Sequence, residues 1–159
     1  MILKNTLIEN IVQISMEAGN KILETYSNDD NLESIKADKS PLTRADLDSH
    51  NHITESLRSI SSLPILSEES DSISFKERKS WKKYWLIDPL DGTKEFLKRN
   101  GEFTVNIALI KNNKPILGVI HSPVLKETYW GSEKNGSYFQ KNYNQAELIK
   151  VSSKQKGTL

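Results

Sequence analysis

Apolar side chains at Leu7, Ile8, Ile11, Ile14, Ala18, Ile22 and Leu23 recur in steps of three and four. That spacing lays one stripe along a helix and predicts a helix over residues 3–26, packed on a core. The polar run Ser27-Asn28-Asp29-Asp30-Asn31 ends it. Leu47, Ile53, Leu57 and Ile60 keep helical spacing too and predict a second helix over residues 43–60. Thr43 is its expected cap, with Pro41 just upstream. Beyond Ser62 the period shortens. Residues 64–66, 84–87, 103–110 and 116–120 read as short strands, with a turn at Asn112-Asn113-Lys114-Pro115. Residues 127–130 and 137–140 read as a hairpin around Asn135-Gly136, and Leu148-Ile149-Lys150-Val151 as the start of a further strand. Residues 71–83, charged and Ser-rich, read as an exposed loop or short helix. Two helices followed by strands on tight turns predict an α+β fold, with both helices packed on a largely antiparallel sheet.

Composition narrows the class. The 159 residues suit one domain. Lys and Arg number 22 against 21 Asp and Glu, a net charge of +1, which argues against a dedicated nucleic-acid binder. The absence of cysteine excludes a disulfide, a thiolate zinc site and a Cys nucleophile. No apolar run reaches the ~20 residues that span a bilayer, and no signal-peptide pattern opens the chain. A cytoplasmic protein is the expectation.

The sharpest chemistry lies at Asp88-Pro89-Leu90-Asp91-Gly92-Thr93, directly after an apolar strand. Proline fixes one backbone angle and glycine permits a positive one. A tight turn there can aim both carboxylates and the Leu90 carbonyl at one point. These are hard oxygen ligands suited to Mg²⁺. The Gly92 and Thr93 amides can meet a phosphate oxygen. Asp-Pro and Asp-Gly are also common turn dipeptides, so the turn alone does not decide the matter. An EF-hand fits poorly, because Arg99 falls where its bidentate Glu would stand. A second acidic pair, Glu68-Glu69, also follows a short strand, and either residue can complete a carboxylate cluster if the strands are neighbours. Lys36 to Asp46 forms a third segment. Its Thr43 and Asp46 suit a helix start, whereas the run from Lys36 to Ser40 has no such explanation. His50 and His52, two apart on a helix, face different ways and make a poor zinc pair. Glu95, Lys98 and Arg99 follow the turn, either as contacts for anionic groups or as a wet charged face.

The order of these segments resembles the magnesium-dependent phosphatases of the inositol monophosphatase superfamily. The residues that carry the likeness are Ser40-Pro41-Leu42-Thr43 with Asp46, then Ser67-Glu68-Glu69, then Trp85 to Thr93. Lys94-Glu95-Phe96 and the run from Arg99 to Ile110 are similar to the 3′(2′),5′-bisphosphate nucleotidase branch of the CysQ type. The resemblance implies that Glu68, Asp88, Asp91 and the Leu90 carbonyl hold Mg²⁺. It implies that Asp46 and Thr93 activate the attacking water, and that Glu68, Leu90, Asp91, Gly92 and Thr93 line the substrate site. The implied substrate is a nucleotide bisphosphate, adenosine 3′,5′-bisphosphate, giving AMP and phosphate. Peripheral attachment to the inner membrane is a further family expectation.

Members of the superfamily carry a second α/β half with another aspartate ligand in a Trp-Asp motif. No Trp-Asp pair occurs here, and the last Trp is Trp130. The expectation is therefore an N-terminal portion, residues 1–159, partnered by a separately encoded C-terminal half or by another copy. Two alternatives stay open. One is a non-catalytic fragment that keeps part of the metal site. The other is an inositol monophosphatase, against which Lys94-Glu95-Phe96 speaks.

Overall fold

A computed structural model describes residues 5–28, 41–70 and 73–152. The run from Lys36 to Ser40 lies outside them. Helix α1 (Asn5–Asn28) and helix α2 (Pro41–Ile60) come first. The strands are β1 (Ile65–Ser67), β2 (Lys83–Asp91), β3 (Thr104–Lys111), β4 (Lys114–Ser122), β5 (Glu127–Ser132), β6 (Gly136–Lys141) and β7 (Glu147–Ile149). Two short helices, α3 (Phe75–Arg78) and α4 (Thr93–Leu97), flank β2. The α+β architecture read from the sequence is the one observed.

Two boundaries differ in an instructive way. Helix α2 begins at Pro41, so Thr43 lies inside its first turn and is not the cap. Proline belongs at a helix start, because its fixed φ is helical and its missing N–H has no partner there anyway. The Asp88–Asp91 segment is also not a free turn beyond the strand. It stays within β2 as an irregularity. Asp88 faces Asn106 and Asp91 faces Thr104, so three steps along β2 match two along β3. That extra residue is a β-bulge, and it accommodates Pro89, which has no N–H for the ladder.

All seven strands form one sheet in chain order. Only β1 and β2 run parallel; every other neighbouring pair is antiparallel. The β3–β4 hairpin turns at Asn112 and Asn113, both with positive φ (50° and 62°), the geometry of a two-residue turn that matches strand twist. Alternate residues of the strands face the helices. Trp85, Ile87, Val105, Ile107, Leu109, Leu117 and Val119 are buried with Ile11, Ile14, Ala18 and Ile22 of α1 and Ala45, Ile53 and Leu57 of α2. The core therefore lies between the sheet and its two long helices.

The other face of the sheet has no helix over it among the described residues. Leu86, Ile120, Tyr129 and Ile149 are exposed there, and a hollow of ≈ 940 Å³ runs across it. Glu68, Asp88 and Asp91 line one end of that hollow.

Candidate active site

Strand pairing brings the two acidic segments together. The parallel register sets Ser67 beside Ile87, and the Glu68 amide donates to the Ile87 carbonyl (3.3 Å). The next residues, Glu68 and Asp88, thus leave adjacent strand ends side by side. Their carboxyl groups lie close enough for Glu68 to raise Asp88. Burial, then the charges of Glu68 and Asp91, push Asp88 up to about 6, although the Leu90 amide that donates to it favours the ionised form.

Helix α2 supplies the third element. Asp46 is half-buried, and Glu69 is the charged neighbour that acts on it most. Burial is the main cause that raises Asp46 to about 8, followed by Glu69, Asp88 and Glu68. Its Oδ1 is buried without a hydrogen-bond partner. One turn further on, the Ser49 hydroxyl donates to the Pro89 carbonyl (2.8 Å), fixing the bulge from below. His50 Nδ1 lies 2.8 Å from Ser67 Oγ. On the sheet side, the Asn106 amide donates to Asp91 Oδ2 (3.0 Å), and Thr104 Oγ1 donates to Asn106 Oδ1 (3.2 Å). Acids from α2, the end of β1 and the bulge of β2 therefore approach one another in overlapping pairs. Their repulsion is the electrostatic sign of the site.

Gly92 links the bulge to α4. Its φ of 103° lies in the left-handed region, and a Cβ there would stand 3.0 Å from the Glu102 carbonyl oxygen. A side chain is excluded on both counts. Thr93 opens α4 and is exposed. The helix is held by Phe96, fully buried in a cluster with Tyr26 and Phe103 at centroid separations of 5.0 to 5.4 Å. Arg99 turns to that cluster as well. Its guanidinium donates to the Tyr26 carbonyl (2.7 Å) and covers the Tyr26 ring. Phe96, Phe103 and Arg99 thus seat α4 on α1.

The structure brings Asp46, Glu68, Asp88 and Asp91 to one place, with Leu90 between the last two and Gly92 and Thr93 at its edge. Among the described residues, no three Asp, Glu or His side chains form a ready-made chelating group. The acids meet in pairs instead. The pattern reading under-weighted Glu69 against Glu68, and passed over Ser49, His50 and Asn106 as site residues. Ser49 and His50 had a signal, since they stand three and four places after Asp46 on one helix face. Asn106 had none, because its pairing with the bulge is a matter of sheet register. His52 does face away from His50, toward Glu17 of α1 (3.0 Å).

The fold and acidic site define a class. The inositol monophosphatase family profile matches residues 4–158, and the chain belongs to that family. Its relatives include 3′(2′),5′-bisphosphate nucleotidase CysQ of Salmonella typhimurium. That protein is 49% identical over 129 residues, covering 80% of this chain and 52% of the relative. The same-named protein of Escherichia coli K12 is 46% identical over the same length and coverage. The crystal structure of CysQ from Bacteroides thetaiotaomicron superposes with a TM-score of 0.78 at 40% identity, covering 94% of this chain and 52% of that one. The chain spans about half the length of the curated relatives it matches.

Proposed function

We propose that this chain carries the acidic, phosphate-facing part of a magnesium-dependent phosphatase that removes the 3′-phosphate of adenosine 3′,5′-bisphosphate, leaving AMP. The single observation behind this reading is the meeting of Asp46, Glu68, Glu69, Asp88 and Asp91, with Asp46 and Asp88 both raised by burial and by the other acids. The names of the CysQ relatives supply the substrate class, a 3′(2′),5′-bisphosphate nucleotide.

The donor set fits Mg²⁺. It is all oxygen and over-rich in negative charge, and beside it Asp46 keeps a buried carboxylate oxygen with no partner. Glu68, Asp88, Asp91 and the Leu90 carbonyl would hold the metal. When bound, it supplies positive charge to the phosphoryl oxygens and makes water more acidic. The protein's own groups do the rest. Asp46, raised to about 8 in the metal-free fold, would accept a proton from water oriented with Thr93 once a bound cation offsets the charges of the other acids. The Gly92 and Thr93 amides face the phosphate, and Asn106 keeps Asp91 aimed at the site.

A second reading is a metal-binding module without turnover. The uncovered sheet face favours it, because Glu68 and Asp91 stay open to solvent on that side. Incubating the full chain with adenosine 3′,5′-bisphosphate and Mg²⁺ separates the two. The expected result is phosphate release that falls about 100-fold or more in Asp91→Asn. Mg²⁺ binding without phosphate release supports the second reading. Equal rates on an inositol phosphate overturn the substrate assignment, and unchanged release in Asp91→Asn overturns the site.

A further inference from the structure

Helix α2 touches both acidic segments through two neighbouring residues that carry no carboxylate. Ser49 Oγ donates to the Pro89 carbonyl at 2.8 Å, inside the Asp88–Asp91 bulge. His50 Nδ1 stands 2.8 Å from Ser67 Oγ, at the last position of β1. That same hydroxyl accepts the Glu69 amide at 3.3 Å, and the Ser67 carbonyl accepts the Ser70 amide at 3.2 Å. A hydroxyl that accepts an amide two residues on closes a small turn, which sets the direction in which the intervening side chains leave the backbone. The intervening residue is Glu68, and the residue whose amide is held is Glu69. Besides this turn, the segment is anchored by β1, three residues long, and by the Glu68 amide on the Ile87 carbonyl. A hydroxyl can rotate freely unless a second partner fixes it. His50 is that partner.

We propose that His50 is a positioning residue: through Ser67 Oγ it fixes the Glu68-Glu69 turn against the Asp88–Asp91 bulge, so that α2 sets the separation of the two halves of the metal site. The inference rests on the magnesium reading above for its consequence, but not for the tether itself. Asp46, Ser49 and His50 lie on one helix face and reach Glu69, Pro89 and Ser67 respectively. A rotation or slide of α2 would move all three together, which makes the helix a common bracket for the acids of both strands. The chemistry asks for such a device. Like charges at close range push apart, and a site built from them needs its backbone held from outside the carboxylates themselves.

Three variants of the full chain test this: His50→Phe, which keeps a ring and loses the hydrogen bond, His50→Asn, whose amide reaches about as far as Nδ1, and Ser67→Ala. Two quantities are read. The first is hydrogen exchange at the Glu69 amide in metal-free protein, followed by NMR. His50→Phe and Ser67→Ala are expected to speed it about fivefold, and His50→Asn to restore it. The second is Mg²⁺ affinity by calorimetry, expected to fall about tenfold in His50→Phe and to recover in His50→Asn. Unchanged Glu69 exchange in His50→Phe overturns the tether. Faster exchange with unchanged Mg²⁺ affinity overturns the positioning role. Absence of Mg²⁺ binding by the unsubstituted chain overturns the magnesium reading and the positioning role toward the metal, while the exchange data still decide the tether. A far-UV spectrum and melting curve of each variant ensure that folded protein is compared. If His50→Phe does not fold, the contrast between Ser67→Ala and His50→Asn decides in the same terms.

Discussion

Asp46 condenses the electrostatics of the site into one side chain. It is displaced to about 8 mainly by burial, then by Glu69, Asp88 and Glu68, and one of its oxygens has no partner. An acid whose folded-state pKa is raised stabilises the fold fully below its unfolded value, near 4. That contribution is lost as pH rises through its folded value. Metal-free protein is therefore expected to melt lower at pH 8.5 than at pH 6.5. In Asp46→Asn, which keeps the shape without the charge, that decline should flatten. The variant should melt about 2–4 °C above the unsubstituted chain at pH 8.5. Thermal melts with a chelator present check this, and an equal decline in both proteins would remove Asp46 from the account.

Among the elements, α1 and α2 divide the work. Helix α2 reaches the acids, whereas α1 closes the core behind them. The contact between α1 and β4 is tight at Gly19. A Cβ there would come within 2.7 Å of the His121 ring. His121 is fully buried, with Nδ1 2.9 Å from Thr128 Oγ1 and Nε2 without a partner. Burial lowers it to about 4, against an unfolded value near 6.5. Its stabilising contribution is present above the unfolded value and is lost as pH falls from there through the folded one. Denaturation curves between pH 6.5 and 4 should show a slope of up to about 1.4 kcal/mol per pH unit from this residue, the limit for one proton. His121→Asn keeps an acceptor near Thr128 and should lose that part of the slope. An unchanged slope would assign acid sensitivity elsewhere. Strand alternation puts His121 on the same face of β4 as the buried Leu117 and Val119.

Over the whole molecule, the sheet is covered on one face and bare on the other among the described residues. Leu86, Ile120, Tyr129 and Ile149 form an apolar surface that continues from the acidic cluster across the hollow. Contiguous exposed apolar area of this kind is unusual for a soluble protein. Folded protein is expected to bind an apolar fluorescent dye here. Thr in place of both Leu86 and Ile120 should reduce the signal by roughly half while leaving the melting curve cooperative. Dye binding that persists unchanged would place the apolar surface elsewhere. Among the described residues no helix is long and apolar enough to cross a membrane, so this surface is not part of a helical span.

The sequence alone carried the elements and the family. Steps of three and four marked α1 and α2, alternation marked the strands, and the Asp88 to Thr93 run marked the site, because each of these is written in neighbours along the chain. It could not carry the bulge that keeps Asp88 to Asp91 inside β2, since that depends on the register with Asn106 and Thr104. Nor could it show that Glu69 answers Asp46, that Arg99 is spent on Tyr26, or that Ser49 and His50 brace the two acidic segments. These pairings join residues 17 to 73 positions apart. Local propensity has no reach over such distances. Only the stacking of α2 on the sheet, driven by burial of Ala45, Ile53 and Leu57 against Trp85 and Ile87, brings the charges close enough to feel one another.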